Sequence, residues 1–288
     1  MNLSFDNHIH TICSGHSDPM MTVGNIIKYS EQAGLTRIAI TEHSFDWHLG
    51  PRGNLELIQK ELAAVETGIQ VLVGMEIDPD MENPGHLNFE DFNEDELFPV
   101  LVGFHGYPGM DKGWFEKIHF TRRDKNRIYN RWSNMIEKLI ENPKVDVLAH
   151  PGRLIMQNRI IDEFSGNILK NFERLAAAAR QYDVAFEINE TLLDSIPTEK
   201  LWKSYRNVME VMLANGVKLS VGSDAHSPDK IGRFNKVMEF IKPFNISSFN
   251  FLTVKQGDQQ DEKIHTHRIA RCDRYHSDSR QYAAAGAE

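Results

Sequence analysis

The sequence is poor in cysteine: Cys13 and Cys272 are the only two in 288 residues, too few for a disulfide framework. We therefore expect a reducing, cytoplasmic location. There is also no apolar run near the roughly 20 residues that a membrane-spanning helix needs, so we expect no membrane association. Residues 1–6 lack both the basic and the apolar region of a signal peptide, and no secretion is predicted.

Positive charge is scarce as well. The chain has 32 Lys and Arg against 41 Asp and Glu, a formal net charge of -9. Because binding along nucleic acid requires a basic surface, this balance argues against a nucleic-acid partner. It does not exclude a small anionic ligand, since bound metal ions can invert the local field. The length fits either two average domains or one α/β barrel of roughly 200–250 residues.

Short apolar segments alternate with helical patterns over residues 1–244. We predict seven strands at about 3–8, 37–40, 69–73, 98–102, 145–149, 184–188 and 218–221. Helices are predicted between them, including one that Thr22 caps and a last one, to about Ile241, with Ser227 as its N-cap and Pro228 in its first turn. Strands alternating with helices indicate a parallel sheet, open or closed, and the number and apolarity of these strands favour a barrel. In such barrels the active site lies at the carboxyl ends of the strands.

Three segments fall outside this rhythm. The acidic residues 78–96 are predicted to form a solvated loop, and residues 106–117 have the composition of a lid or substrate loop. Residues 245–288 carry little to bury, and we predict a mostly disordered tail after a barrel domain of residues 1–244. Its histidines and cysteine have metal-like spacing, but no apolar framework surrounds them, and we predict no zinc site at His265, His267, Cys272 and His276.

Histidine and acidic residues collect at the predicted strand ends. His8 and His10 project to one face of the first strand, because side chains alternate along a strand. Seven further residues follow strands in the same way, which gives nine candidate metal ligands: His8, His10, His16, His43, Glu76, His105, His150, Asp224 and His226. Burying so many imidazoles without partners would be costly, and metal ligation removes that cost.

Nine ligands are too many for one ion. At about four to six ligands for each ion, the set suits two or three divalent metals. Two carboxylates among seven imidazoles disfavour magnesium and calcium, which prefer oxygen. Zinc, iron and manganese remain as candidates.

These residues resemble the PHP (polymerase and histidinol phosphatase) family, in order and over about residues 4–242. The matching motifs are Asp6-x-His8-x-His10 with His16, Thr41-Glu42-His43, Gly74-Met75-Glu76, His105, Ala149-His150-Pro151, Glu187-Ile188-Asn189 and Gly222-Ser223-Asp224-Ala225-His226. The resemblance implies an α/β fold, a distorted (β/α)7 TIM-like barrel. It also implies a trinuclear cluster, with one metal on His8, His10, Glu76 and Asp224, a second on His16, His43 and His226, and a third on His105 and His150 that Glu76 bridges.

The departures from the family pattern are few. Glu42 stands where many members have Asp, which puts its contact to a neighbouring residue in question. Asn7 occupies a position that is more often apolar. His105 is followed by Gly106, Tyr107 and Pro108, unlike in several relatives, and this bears on the substrate rather than on the metals.

The resemblance implies metal-dependent hydrolysis of phosphate monoesters by a metal-bound water, without a separate protein nucleophile. Histidinol phosphate is the small phosphorylated metabolite that the family suggests, and nucleotide or sugar monophosphates are rivals. Asp6 and Glu187 are predicted to orient ligand histidines. Arg153 is the first candidate for a phosphate clamp, and Lys230 and Arg233 are further candidates.

Two other functions stay open. One is a PHP-type phosphodiesterase or nuclease, for which a basic run at the start of a predicted helix could steer an anionic chain: Arg122, Arg123, Lys125, Arg127 and Arg131. The net charge weighs against it. The other is a non-catalytic metal-binding domain, against which the complete set of candidate ligands argues.

Overall fold

A computed structural model describes residues 3–45, 48–93, 96–108 and 118–252. Within these ranges the strands are β1 (Phe5–Ile9), β2 (Arg37–His43), β3 (Gln70–Ile77), β4 (Val100–Val102), β5 (Val147–Leu148), β6 (Ala185–Asn189) and β7 (Leu219–Gly222). The α-helices there are α1 (Val23–Gln32), α2 (Gly50–Leu62), α3 (Arg122–Glu141), α4 (Arg153–Gln157), α5 (Gly166–Tyr182), α6 (Glu190–Asp194), α7 (Glu199–Ala214) and α8 (Asn235–Ile241).

The seven strands form one parallel sheet in chain order, each strand paired with the next. The first strand also reaches the loop after the last. The His10 amide donates to the Ala225 carbonyl at 3.0 Å, and the Asp224 amide donates to the His8 carbonyl at 2.9 Å. The sheet is therefore a nearly closed barrel with helices outside it, and the predicted (β/α)7 fold is confirmed.

The helices cover the barrel with amphipathic faces. Helix α3 buries Ile128, Trp132 and Leu139 in one apolar core with residues of the strands and the other helices. Caps set where helices begin: Thr22 accepts a hydrogen bond from the Asn25 amide, as its sequence position predicted. The resulting frame fixes the directions in which the strand ends present their side chains.

The last helix is shorter than the sequence predicts. Ser227 and Pro228 begin only a short 3-10 turn, and α8 starts at Asn235. The Ser227 hydroxyl donates to the Asp229 carboxylate instead of accepting from the helix backbone. Gly232 then adopts a left-handed φ of 66°, which interrupts any continuous helix.

The acidic segment 78–96 is not simply a solvated loop. Asp78, Leu87 and Phe92 in it are buried, and a bridge pairs Pro79 with Leu87. The burial of these side chains means that the segment packs against the barrel, and its acidic composition concealed this. Most of the predicted lid, residues 109–117, lies outside the described residues.

The barrel packing continues beyond the predicted boundary at residue 244. Phe251 is buried and lies edge-on to Phe5, with ring centroids 5.4 Å apart, and the Leu252 amide donates to the Leu219 carbonyl at 2.7 Å. Phe251 and Leu252 therefore pack with the sheet, whereas Phe249 is exposed. The rest of the predicted tail, with its histidines and Cys272, lies outside the described residues. Among the helices in the described ranges, none combines the length and apolarity that crossing a bilayer needs.

A pair of phenylalanine variants tests this contribution of the C-terminal segment. We expect Phe251→Ala to lower the free energy of unfolding by about 3 kcal/mol, because it opens a cavity at the end of the core. Phe249→Ala, at a side chain that is 84% exposed, is the matched control and should change it by less than about 0.5 kcal/mol. Urea unfolding measures both values. Equal free energies of unfolding for the two variants would instead support the predicted end of the barrel domain at residue 244.

Candidate metal centre

The nine residues selected from the sequence meet at the carboxyl end of the barrel. His8 lies in β1, His43 ends β2, and Glu76 lies within β3, which is longer than predicted. The others follow strands or adjacent turns: His10, His16, His105, His150, Asp224 and His226. Three sets of three residues each bring one ligand atom per residue to within 4.8 Å of the other two. The sets are His10 with His43 and His226, His8 with His10 and Glu76, and His43 with Glu76 and His105.

Glu76 is the centre of this cluster. Its carboxylate is fully buried, with Oε1 at 2.6 Å from His150 Nε2 and 3.6 Å from His105 Nε2. Its Oε2 lies 3.0 Å from His43 Nδ1 and 3.4–3.5 Å from the Nε2 atoms of His8 and His10. Burial alone would raise the pKa of Glu76, but the surrounding imidazoles outweigh it and hold that pKa well below its usual value.

His8 and His10 face each other across the end of β1. Their Nε2 atoms lie 3.0 Å apart, and Asp224 Oδ1 lies 3.3 Å from His10 Nε2 and 3.7 Å from His8 Nε2. Two imidazole lone pairs this close repel unless a proton or another cation lies between them. The pair predicted from strand alternation thus converges on one point.

Carboxylates fix the orientation of three of these imidazoles from behind. Each Nδ1 lies close to an acid: His8 to Glu187 at 2.8 Å, His105 to Asp78 at 3.1 Å and His10 to Glu42 at 3.4 Å. An Nδ1 proton donated to a carboxylate leaves the lone pair on Nε2, which is the form that binds a metal. Three Nε2 atoms are thereby directed into the cluster.

Backbone carbonyls act in the same way on two more histidines. His226 Nδ1 lies 3.0 Å from the Asp224 carbonyl, and His16 Nδ1 lies 3.0 Å from the Ser14 carbonyl. The rings of His16 and His226 stack with centroids 4.4 Å apart. Their Nδ1 protons are therefore held by the backbone, and Nε2 is again the nitrogen suited to a ligand.

Three polar atoms at the centre are buried without a hydrogen bond to any described residue: Glu76 Oε2, His43 Nδ1 and His226 Nε2. His43 Nδ1 and Glu76 Oε2 lie 3.0 Å apart, but their contact does not have the geometry of a hydrogen bond. Leaving such atoms unsatisfied costs about 1–3 kcal/mol each. Burial, together with the neighbouring His10, lowers the pKa of His43 to about 4 and that of His226 to about 3, so both rings are neutral at pH 7. Neutral imidazoles beside a carboxylate fit divalent metal ions well.

Glu187 holds two parts of the site together. Besides His8, its carboxylate accepts the His150 amide at 2.6 Å and the Asn189 side-chain amide at 3.1 Å. Asp6 acts differently: it accepts the backbone amides of Ser223, Gly232 and His8 at 2.9–3.3 Å. These bonds fix the loop that carries Asp224. None of them orients an imidazole, which is the role predicted for Asp6 from the sequence. Burial raises the pKa of Asp6 to about 6.

Two glycines make room for the cluster. A Cβ on Gly103 would lie 2.2 Å from Glu76 Oε1 and 2.9 Å from His150 Cε1. A Cβ on Gly222 would lie 2.2 Å from Glu187 Oε1 and 2.4 Å from His8 Cβ. Real side chains do not come this close, so these positions must be glycine for the buried carboxylates to reach the histidines.

Asp78 belongs to the candidate site and was missed by the sequence analysis, which noted Asn189 only as part of a motif. Asp78 is buried, and its carboxylate accepts the His105 amide at 2.9 Å as well as contacting the ring. It directly follows β3, so the strand-end rule that selected Glu76 could have found it. Glu42, noted only as a departure, accepts the Thr11 amide at 2.9 Å and the His43 amide at 2.9 Å.

The predicted phosphate-binding residues lie in different surroundings. Arg153 reaches the centre, where its Nη1 donates to Asp224 Oδ2 at 3.2 Å with the side chain 13% exposed. Lys230 and Arg233 are exposed on the segment after His226 and lie near Asp229. Three arginines of the basic run line an open depression on α3: Arg123, Arg127 and Arg131. Arg131 also donates to the Pro108 carbonyl at 3.4 Å.

Comparisons with known proteins agree with this architecture. The chain is 28% identical over 264 residues to a protein of Thermoanaerobacter sp. (strain X514) named "Probable phosphatase", and the match covers 89% of this chain and 93% of that protein. A protein of the same name from Shewanella piezotolerans is 28% identical over 243 residues, covering 84% and 85%. The fold is similar to that of histidinol phosphate phosphatase from Lactococcus lactis subsp. lactis Il1403, solved with zinc, L-histidinol and phosphate. That match has a TM-score of 0.61 and 17% identity, and it covers 88% of this chain and 95% of the other.

The family resemblance noted in the sequence is confirmed by a family-level match. The PHP domain model aligns with residues 6–191. That range contains β1 from Asp6 onward, β2 to β6, and seven of the nine candidate ligands, from His8 to His150. The chain belongs to the PHP domain family.

Proposed function

We propose that the chain is a metal-dependent phosphatase that hydrolyses phosphate monoesters of small metabolites. The observation that carries the proposal is the convergence of five imidazoles on the fully buried carboxylate of Glu76. The names of the relatives, and the zinc, histidinol and phosphate in the Lactococcus lactis structure, support it.

The nine converging residues would hold two or three ions of zinc, iron or manganese. His8, His10, Glu76 and Asp224 would hold one, and His16, His43 and His226 a second. His105 and His150 would hold a third, which Glu76 would share. In support, these residues form three overlapping groups, and within each group the ligand atoms lie within 4.8 Å of one another. Ligand sets rich in imidazole suit these metals.

When bound, such ions lower the pKa of water towards neutrality and balance the charge that develops on phosphate. The protein's own contribution is geometric. Glu187, Glu42 and Asp78 hold the ligand imidazoles in one orientation, and Asp6 holds the loop that carries Asp224. Arg153 would contact the phosphate group, because its guanidinium already lies against Asp224 at the edge of the cluster. Lys230 and Arg233 would add only outer charge.

A phosphodiesterase or nuclease activity is the second candidate. The arginines on α3 favour it, since Arg123, Arg127 and Arg131 form a basic stripe, and Arg131 contacts the loop that begins at His105. The net charge of -9 opposes it. A small metabolite such as histidinol phosphate, or a nucleotide or sugar monophosphate, is therefore the preferred substrate, and we propose a cytoplasmic setting on the strength of the low cysteine content.

Substitution of one central ligand tests metal-dependent catalysis. We expect His10→Ala to lose at least one metal equivalent and to reduce phosphate release by about 100-fold or more, because the converging pair at β1 is broken. Elemental analysis and a phosphate-release assay measure the two effects. His86→Ala, at a side chain that is 67% exposed, is the control and should retain both. Full metal content and activity in the His10 variant would refute the assignment.

The newly recognised Asp78 can be tested against a neighbour in the same acidic segment. We expect Asp78→Asn to weaken metal binding by about 10–100-fold, because the carboxylate that orients His105 is lost. Asp80→Asn is the matched control, since the Asp80 bonds are local and exposed. Competition with a chromophoric chelator measures the affinities. If both variants bind metal like the parent protein, Asp78 does not support the cluster.

The phosphate clamp predicts a different kinetic signature. Arg153→Ala should raise KM by about tenfold or more while metal content stays unchanged, because a charge-assisted contact to the substrate is removed. Arg180→Ala, at an exposed arginine of α5, should leave KM unaltered. Steady-state kinetics on metal-loaded protein provides the comparison. An unchanged KM with reduced metal content would assign Arg153 to the metal cluster instead.

A further inference from the structure

An open depression lies beside the candidate metal centre, on the side of β2 and α2. Its volume is about 620 Å³, and its wall includes Phe45, Leu49, Pro51, Arg52, Asn88 and Phe89. Pockets that bind small ligands commonly measure about 300–1,000 Å³ and are mostly apolar with a few polar groups. We call this feature the Phe45 depression. It has the size of a subsite for part of a small molecule, and its lining combines apolar and polar side chains.

Phe45 joins this depression to the metal centre. Its ring stacks on His43 with centroids 4.7 Å apart at 25°, and it meets His105 edge-on at 5.4 Å. Both histidines lie next to Glu76, at 3.0 Å and 3.6 Å. When the phosphate group of a substrate is held at the cluster, the group esterified to it would therefore be within reach of the Phe45 depression.

The exposed apolar surface in the depression is unusual for this chain. Leu49 is 58% exposed and is one of five large hydrophobic side chains that stand out to solvent among the described residues. It shares the depression with Pro51 and with the rings of Phe45 and Phe89. Apolar and aromatic side chains around one concavity next to a reaction centre favour a flat apolar guest.

The polar groups of the depression argue against a second phosphate. Arg52 is the one cation in the described lining, and it is already paired with the Glu96 carboxylate and the Asp91 carbonyl. Asn88 accepts the Ser44 hydroxyl at 2.7 Å through Oδ1, which leaves its amide nitrogen as a donor. Among its described residues, the depression thus offers apolar side chains, a neutral donor on Asn88 and a cation, Arg52, that is already paired.

We propose that the Phe45 depression binds the alcohol portion of the phosphate monoester and selects alcohols that end in an uncharged planar aromatic ring. The proposal rests on the proposed phosphatase function, because it takes the phosphate to lie at the Glu76 cluster. It adds the substrate class. Phe45, Leu49 and Phe89 form the walls for the ring, and Asn88 provides a hydrogen-bond donor at its edge.

Three primary alkyl phosphates with similar leaving groups test the selection on full-length protein loaded with Mn²⁺: ethyl phosphate, 2-cyclohexylethyl phosphate and 2-phenylethyl phosphate. We expect kcat/KM for the phenyl ester to exceed that for ethyl phosphate by about tenfold or more, because a ring leaves water. It should also exceed the value for the cyclohexyl ester, since a planar aromatic ring can stack on an aromatic side chain of the lining and a cyclohexyl ring cannot. Equal kcat/KM for all three esters would overturn the subsite while leaving the phosphatase function intact.

Variants locate the effect. Leu49→Ala and Phe89→Ala should each reduce the preference for the phenyl ester over ethyl phosphate by several-fold, whereas Met238→Ala, at a partly exposed methionine of α8, should keep it. A preference that survives both wall substitutions would place the ring elsewhere and refute the proposal.

Binding of non-hydrolysable analogues separates the two failures. The dissociation constant of 2-phenylethylphosphonate should be about tenfold lower than that of ethylphosphonate, and Leu49→Ala should remove most of the difference in calorimetry. This binding outcome supports the subsite even if no ester is hydrolysed. A lack of hydrolysis would refute only the phosphatase function. Equal affinity of the two phosphonates would refute the subsite whether or not the esters turn over.

Discussion

The structure depends on the burial of one carboxylate. Glu76 lies near the carboxyl end of β3 and is fully buried. Five imidazole nitrogens from four other strand ends lie 2.6–3.6 Å from its two carboxylate oxygens. An isolated buried charge would be too costly to fold. The surrounding imidazoles, and the cations they are suited to bind, are what make this position tolerable. The requirement for close approach extends to Gly103, where any side chain would collide with Glu76.

Around this centre, an outer set of acids fixes the direction of three ligand imidazoles, those of His8, His10 and His105. Glu187, Glu42 and Asp78 hold one ring nitrogen each, and Glu187 also holds the His150 backbone. Asp224 and His150 themselves have positive φ angles, of 57° and 28°, which bulky residues adopt only when the surroundings impose them. A rigid parallel barrel can impose them, because its strand ends are fixed on both sides. The protein's own hydrogen bonds thus contribute to the orientation of the ligands.

Much of this arrangement could be predicted from the sequence. Alternation along β1 placed His8 and His10 on one face, and the strand-end rule brought together ligands that lie more than 200 residues apart. The interior of the barrel was harder. Asp78 was hidden by the acidic composition of its segment, although its own position after β3 matches that of a site residue. The closeness that makes Gly103 and Gly222 necessary is a property of packing, which no local pattern contains. Phe251 was missed because a single buried aromatic in a polar stretch carries no periodic signal.

The central claim is that these strand ends meet around shared metal ions. Anomalous X-ray diffraction from crystals of the metal-loaded protein tests it most directly. We expect two or three anomalous peaks, each about 2.0–2.3 Å from ligand nitrogens or oxygens, with at least one peak in contact with Glu76. A crystal that retains phosphatase activity but shows no anomalous peak within coordination distance of Glu76, His8 or His10 would contradict the account.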